Sequence, residues 1–140
     1  MSTRLNPYLM WRGTAREAMT RYQEIFGGEL SLMPVSDAPP EVQGGMPGAT
    51  PDMIMHGALM LNGRLLMASD DPTGDGGPKK GVAVSHSAAD AGEAKRVFEA
   101  LAEGGEITMP LTETFWSPAF GTCNDRFGVP WMVGVEPQQG

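Results

Sequence analysis

The feature that most constrains the fold of this chain is an internal repeat. Three dipeptides of the first half recur in the same order in the second half: Glu17-Ala18 as Glu93-Ala94, Gly27-Gly28 as Gly104-Gly105, and Met33-Pro34 as Met109-Pro110. The offsets are 76, 77 and 76 residues, from positions 17, 27 and 33 to positions 93, 104 and 109. A repeat of this kind indicates a duplicated unit, so each half should have the same order of helices and strands.

Each half contains one predicted helix with its own start and stop signals. Thr14-Ala15-Arg16-Glu17 fits a capping box, in which the Thr side chain accepts an orphan backbone N–H and the Glu side chain reaches back to the cap. Asp90-Ala91-Gly92-Glu93 repeats that start. Apolar residues at helical spacing follow in both halves, and Gly27-Gly28 and Gly104-Gly105 suit the left-handed helix exit. We therefore expect two amphipathic helices.

The remaining apolar segments predict strands. Asn62-Gly63 suits a tight type I′ hairpin, because both turn residues need positive φ. The predicted strands are residues 4–11, 28–35, 52–61 and 65–69 in the first half and 81–87, 106–111, 119–124 and 131–135 in the second. The prediction is an α+β fold of two tandem βαβββ modules that form a cupped mixed β-sheet, with one helix packed outside each module.

At 140 residues the chain has the size of one domain. We expect residues 1–140 to form that domain, with module 1 at about 4–70, a linker at about 71–80 and module 2 at about 81–137. The loop 36–51 is rich in Pro, Gly and Ala. Loops of this length are often functional, so it is either a lid over a site or a surface excursion.

The charge balance excludes several classes of partner. The chain has 17 acidic and 10 basic residues, and its longest basic run is Lys79-Lys80, whereas duplex binding needs clustered cations. No apolar run approaches the roughly 20 residues that cross a bilayer. The lone Cys123 cannot form an internal disulfide, and residues 1–5 are too polar to begin a secretory signal. We expect a cytoplasmic protein that binds neither nucleic acid nor membrane.

His56 is the main candidate for chemistry. Its predicted strand is otherwise apolar on both faces, so His56 can be a ligand contact, a general base or a satisfied core residue. Alternation places His56 with Ile54, Ala58 and Met60 on one face. We expect that face to point away from the helix, because an imidazole buried there without a partner would cost roughly 1–3 kcal/mol.

The other reactive side chains give weaker signals. Cys123 lies on a predicted strand, either as a pocket thiol or as a buried inert one. His86 is expected at a strand end, and the two His and one Cys are too far apart in sequence to indicate a zinc or nickel site. Gly44 to Gly48 lacks the lysine of a phosphate-binding loop. Eleven methionines fit either irregular cores or adaptable apolar pockets.

The stretch from Thr114 to Trp131 is the most distinctive. It contains Phe115-Trp116, then Gly121, then Asp125-Arg126-Phe127-Gly128-Val129-Pro130-Trp131. With Phe26-Gly27-Gly28 and residues 55–59, this pattern resembles the vicinal oxygen chelate superfamily of glyoxalase, bleomycin-resistance and extradiol dioxygenase proteins. Within it, the chain is similar to the PhnB-like branch, often labelled as demethylubiquinone methyltransferase domains. The resemblance covers about residues 5–135.

This resemblance implies paired βαβββ modules around a cupped sheet and a homodimer. In metal-using relatives the ligands come from the first and last strands of each module. Met132 and Gly81 stand at two such positions here, and neither can bind a hard divalent cation. We therefore expect no metal and no other cofactor.

The expected function is metal-free binding of a small, partly apolar molecule. The residues expected to line the site are Tyr8, His56, Trp116, Cys123 and Met132. One alternative is an enzyme of the same superfamily, a lyase, isomerase or transferase, that uses His56 as a base or as a ligand of an unrecognised metal site. A structural or interaction role with an empty cup is the other alternative.

Overall fold

The computed structural model describes residues 5–45, 47–74 and 77–135. The chain divides into two compact units, Met1–Gly76 and Gly77–Gly140. The elements of the first unit are β1 (Tyr8–Trp11), α1 (Ala15–Phe26), β2 (Glu29–Pro34), a 3-10 turn (Val35–Asp37), α2 (Pro40–Gln43), β3 (Ile54–Leu61) and β4 (Arg64–Asp70). Its sheet has the order β1-β4-β3-β2, with β1 parallel to β4 and the other neighbours antiparallel.

The second unit repeats this arrangement. Its elements are β5 (Val84–Ala88), α3 (Ala91–Ala102), β6 (Glu106–Thr112), β7 (Phe120–Asn124) and β8 (Pro130–Val135). The sheet order is β5-β8-β7-β6, again with one parallel pair, β5 and β8, and antiparallel neighbours elsewhere. The predicted α+β fold of two βαβββ modules is confirmed, and each module has its own four-stranded mixed sheet.

Several local predictions can be compared with the structure. The type I′ hairpin is confirmed, because Asn62 and Gly63 have φ values of 51° and 78° between β3 and β4. The loop 36–51 contains α2 and most of the 3-10 turn. Backbone hydrogen bonds from Val35 N to Met53 O and from Ser36 N to Pro51 O join its two ends. Arg4, the predicted start of the first strand, lies outside the described residues.

The predicted capping box of α1 is wrong. Thr14 precedes the helix but its side chain makes no capping hydrogen bond. Instead, Asp70 Oδ1 accepts hydrogen bonds from Gly13 N at 2.8 Å and Ala15 N at 3.0 Å, while its Oδ2 accepts from Ile54 N at 2.9 Å. Asp70 pairs with Trp11 in the parallel β1–β4 register, so its carboxylate lies at the start of α1.

The predicted start of α3 is confirmed for the Asp90 cap but not for the Glu93 side chain, whose carboxylate binds Arg96 instead of reaching back to the cap. Asp90 Oδ1 accepts a hydrogen bond from Glu93 N at 2.8 Å, which satisfies one of the orphan donors of the first turn. Both helices bury one apolar stripe against their own sheet, as their spacing predicts. The buried residues are Ala15, Ala18, Met19, Tyr22 and Ile25 in α1 and Ala94, Val97, Phe98 and Leu101 in α3.

The two candidate caps of α1 give a direct test. Replacing Asp70 by Ala leaves three backbone N–H groups without their acceptor, so we expect Asp70→Ala to lower the free energy of unfolding by about 1–3 kcal/mol. Thr14→Ala is the matched control and should change it by less than about 0.5 kcal/mol. Urea denaturation measures both. A larger loss in Thr14→Ala than in Asp70→Ala would contradict the assignment of the cap.

Candidate functional site

The first sheet has one face against α1 and one open face. The Trp11 ring contacts the Tyr22 ring of α1, with centroids 6.3 Å apart, so Trp11 marks the helix side. Leu9 shares that side, because side chains alternate along a strand. Tyr8 and Met10 therefore lie on the open face, where they are 43% and 52% exposed.

His56 lies on this open face. Leu9 pairs with Ala68 and Ala68 pairs with Gly57, so Gly57 is on the helix side and its neighbour His56 is on the other. The His56 ring is 6.1 Å from the Tyr8 ring, centroid to centroid. The orientation expected for His56, away from the helix, is confirmed.

The ring nitrogens of His56 are reachable from solvent. The imidazole is half-buried, and among the described residues it has no hydrogen-bond partner. Every fully buried side-chain nitrogen or oxygen in the described part of the chain does have a partner. The unpartnered nitrogens of His56 are therefore not fully buried, and a bound molecule could form a hydrogen bond with them.

A β-bulge at Met55 changes which residues share the face of His56. Met33 pairs with His56 but the next residue, Pro34, pairs with Ile54, so Met55 is an extra residue in β3. An inserted residue reverses the alternation of side chains beyond it. Ile54 is fully buried in consequence, and the expectation that it shares a face with His56 is wrong.

Four methionines share the open face with Tyr8 and His56. Met33 pairs directly with His56, and Met67 pairs with both Tyr8 and Ala58. Met10 and Met60 occupy further open-face positions of β1 and β3, and with Met33 they are 40–52% exposed. We call Met10, Met33, Met60 and Met67 the methionine face. It gives the phenol and the imidazole an apolar, deformable surround.

The second sheet also has an open face, which carries Met132. Trp131 and Val133 are buried on the side of α3, whereas Met132 between them is 36% exposed. Met132 pairs with Thr122, and Phe120 lies two residues before Thr122 on the same face. The Trp116 ring is 5.4 Å from the Phe120 ring, and a shallow hollow of about 290 Å³ is lined by residues 113–118. Trp116 and Met132 thus lie at one open face.

Cys123 does not lie on either open face. It pairs with Trp131 in the β7–β8 register and is 1% exposed on the α3 side of the second sheet. Burial, helped by the negative charge of Asp125, raises the pKa of the Cys123 thiol from 9.0 to about 11. Its position and its protonation at neutral pH both match the buried, inert alternative.

The Asp-x-Phe-Gly-x-x-Trp motif forms the turn between β7 and β8. Asp125 is buried, and its Oδ1 accepts hydrogen bonds from Phe127 N and Val129 N at 2.9 Å each. Its Oδ2 accepts from the indole Nε1 of Trp131 at 2.8 Å. These contacts hold the turn and the last strand, so the motif is structural in this chain.

The residues present do not suit a hard divalent cation. In the described part of the chain, no three His, Cys, Asp or Glu side chains are grouped so as to hold a metal ion. At two positions where the sequence resemblance implies metal ligands, Met132 offers only a thioether, and Gly81, which has φ 75° before β5, offers no side chain. His86 lies on β5, where burial lowers the pKa of its imidazole while the charge of Glu93 opposes the shift.

Sequence reasoning missed part of the open faces. Met10, Met33 and Phe120 join the predicted site residues there. Met33 and Phe120 could be found only from strand pairing, which the sequence does not specify. For Met10 the alternation of residues 8–11 was an available signal.

Among the described residues, no helix is long and apolar enough to span a membrane.

Comparisons with known proteins agree with this geometry. The family described as the Glyoxalase/Bleomycin resistance protein/Dioxygenase superfamily matches residues 4–133. Protein YjdN of Escherichia coli (strain K12) is 35% identical over 144 residues, which cover 96% of this chain and 97% of YjdN. The crystal structure of protein PA1353 from Pseudomonas aeruginosa is 41% identical with a TM-score of 0.87, covering 98% of this chain and 100% of that one. A putative 3-demethylubiquinone-9 3-methyltransferase, PhnB protein, from Bacillus cereus is 26% identical with a TM-score of 0.75, covering 95% of this chain and 99% of its own.

The pKa of Cys123 generates a prediction about pH. Between pH 9.0 and about 11 the folded chain holds the thiol proton that the unfolded chain has lost. The stability from the neutral thiol is therefore complete below pH 9.0 and is lost as the pH rises through about 11. We expect the unfolding free energy of the natural chain to fall more steeply over this range than that of Cys123→Ala.

Thiol chemistry supplies a second measurement on the same residue. At pH 8, alkylation of Cys123 by iodoacetamide should be roughly a hundredfold slower in the folded chain than in urea, because the thiolate is scarce and buried. Equal alkylation rates in the two states would show that Cys123 is accessible.

Proposed function

The chain belongs to the glyoxalase/bleomycin resistance protein/dioxygenase superfamily, and we propose that it binds a small, partly apolar molecule without a resident metal ion. The observation that carries the proposal is the open face of the first sheet. There Tyr8 and His56 lie 6.1 Å apart, ring to ring, beside the methionine face.

The chemistry of that face suits recognition. Small-molecule sites combine an apolar lining with a few polar groups that fix orientation. Here the thioethers supply apolar contact that adapts to shape. The His56 nitrogens and the Tyr8 hydroxyl supply the polar groups. Trp116, Phe120 and Met132 give the second sheet an aromatic and apolar face of its own, which we propose as a further binding surface.

An enzyme of the same superfamily is the second candidate. A lyase, isomerase or transferase would use His56 as a general base or as a ligand of an unrecognised metal site. The solvent-reachable nitrogens of His56 favour this candidate, since a general base must come within hydrogen-bond reach of the proton it takes. No carboxylate is hydrogen-bonded to the ring among the described residues. For this reason we place binding before catalysis.

We further propose that residues 1–140 act as one domain and that the protein is a cytoplasmic homodimer. The first sheet has the edge strands β1 and β2, and the second has β5 and β6. Ile107 and Met109 on β6 are 52% and 44% exposed. Unpaired edges and exposed apolar side chains of this kind favour pairing with a second copy. Light scattering of the purified chain tests the dimer.

The cytoplasmic location is supported by the lone cysteine, which fits a reducing compartment.

Metal analysis separates metal-free binding from an enzyme that uses His56 as a metal ligand. Because Met132 and Gly81 supply no ligand for a hard cation, we expect mass spectrometry of the mildly purified protein to find far less than one divalent ion per chain. Chelation with EDTA should leave the melting temperature unchanged. A content near one zinc, nickel, manganese or iron per chain would refute metal-free binding.

The role of His56 is tested with a ligand found by thermal shift, since a molecule that prefers the folded state raises its melting temperature. We expect His56→Leu to weaken binding of such a compound by roughly tenfold, through the lost hydrogen bond, while the fold is kept. His86→Leu, which removes the histidine on β5, is the control and should bind as the natural chain does. Unchanged affinity in His56→Leu would refute the role.

A further inference from the structure

Several methionines of this chain lie outside the cores and are exposed to solvent. Eleven methionines are present, and Met19, on α1, is fully buried in the first core. By contrast, Met10, Met33 and Met60 of the methionine face are 52%, 40% and 43% exposed, and Met67 is half-buried. Their thioethers therefore meet solvent and any reagent dissolved in it.

The methionine face surrounds the polar groups of the proposed site. Met33 stands directly opposite His56 across the β2–β3 ladder, and Met67 stands opposite Tyr8 across the β1–β4 ladder. Directly opposed residues of an antiparallel pair such as β2–β3 have Cβ atoms about 4.5–5.5 Å apart, and neighbouring strands of a sheet lie about 4.7–4.9 Å apart. A chemical change at either sulfur therefore occurs beside the imidazole or the phenol.

Peroxide oxidises a thioether in one balanced step. The sulfur lone pair attacks one oxygen of hydrogen peroxide, the S–O bond forms and the O–O bond breaks. The departing hydroxide takes the proton left on the transferred oxygen, and water is released. Sulfur loses two electrons and peroxide gains them. The product sulfoxide is polar, and methionine sulfoxide reductases convert it back to the thioether.

We propose that the methionine face is a site of reversible methionine oxidation, and that its sulfoxides turn the open face of the first sheet from an apolar surface into a polar one. Each new S=O group accepts hydrogen bonds, and next to His56 it competes for the imidazole N–H that a ligand would use. The loss of apolar binding rests on the proposed function, whereas the oxidation itself does not. The fold is kept, because these sulfurs lie outside the core.

Peptide mapping by mass spectrometry tests the oxidation in the full chain treated with hydrogen peroxide. We expect Met10, Met33 and Met60 to become sulfoxides roughly tenfold faster than the buried Met19, with Met67 between them. Nile red, a neutral apolar dye, measures the surface, and its binding should fall at least threefold after oxidation and return after treatment with a methionine sulfoxide reductase. Circular dichroism should be unchanged.

Variants assign the effect to this face. The combined change Met10→Leu, Met33→Leu, Met60→Leu and Met67→Leu keeps an apolar surface without oxidisable sulfur, so its Nile red binding should resist peroxide. Met53→Leu removes a partly exposed methionine of the first unit that lies outside the methionine face and should respond as the natural chain does. If Met19 were oxidised as fast as Met33, the proposal that the methionine face is the site of oxidation would be refuted.

Dye binding and mass spectrometry together distinguish a failure of the polarity change from a failure of the proposed binding function. Rapid oxidation with undiminished dye binding would overturn the polarity change but leave the proposed binding function standing. Failure of the untreated chain to bind Nile red would count against an apolar binding face, and so against both the polarity change and the proposed function, even if the methionines oxidise as expected.

Discussion

The turn between β7 and β8 in the second unit depends on the hydrogen bonds that the Asp125 carboxylate accepts. One oxygen accepts two backbone N–H groups of its own turn, and the other accepts the indole N–H of Trp131 on β8. Charge-assisted hydrogen bonds of this kind are stronger than neutral ones, and a buried donor that loses its acceptor is costly. Because Trp131 is fixed on the α3 side, alternation puts Met132 on the open side. The hydrogen bonds of Asp125 therefore determine which side chains of β8 face the side where a ligand could bind.

Asp70 has the corresponding role in the first unit, although it holds different elements. Its two oxygens join the start of α1 to the first residue of β3. That residue, Ile54, precedes the bulge at Met55, beyond which His56 faces away from the helix. The orientation of the imidazole follows from a carboxylate on a neighbouring strand, from the extra residue and from the packing of Ile54 in the core.

The sequence was sufficient for the architecture but not for the long-range contacts. The duplication and the helical spacing predicted both βαβββ modules, and Asn62-Gly63 predicted its turn, because these signals are local. The cap of α1 could not be predicted, since Thr14 and Glu17 form a plausible local box whereas Asp70 reaches the helix only through the parallel pairing of β1 with β4. The bulge at Met55 was missed for the same reason, and so was the placement of Cys123 away from the open faces.

The glycines of the repeat show why some landmarks recur while the site residues do not. A Cβ added to Gly28 would collide with the carbonyl oxygen of Met60, and one added to Gly105 would collide with that of Asn124. Each glycine lets the chain leave its helix close beside the neighbouring strand. The fold therefore requires a glycine at this position in both modules. The open faces are under no such requirement. There the first copy carries thioethers, a phenol and an imidazole, whereas the second carries Trp116, Phe120 and Met132. The duplication therefore kept the backbone and let the two faces acquire different chemistry.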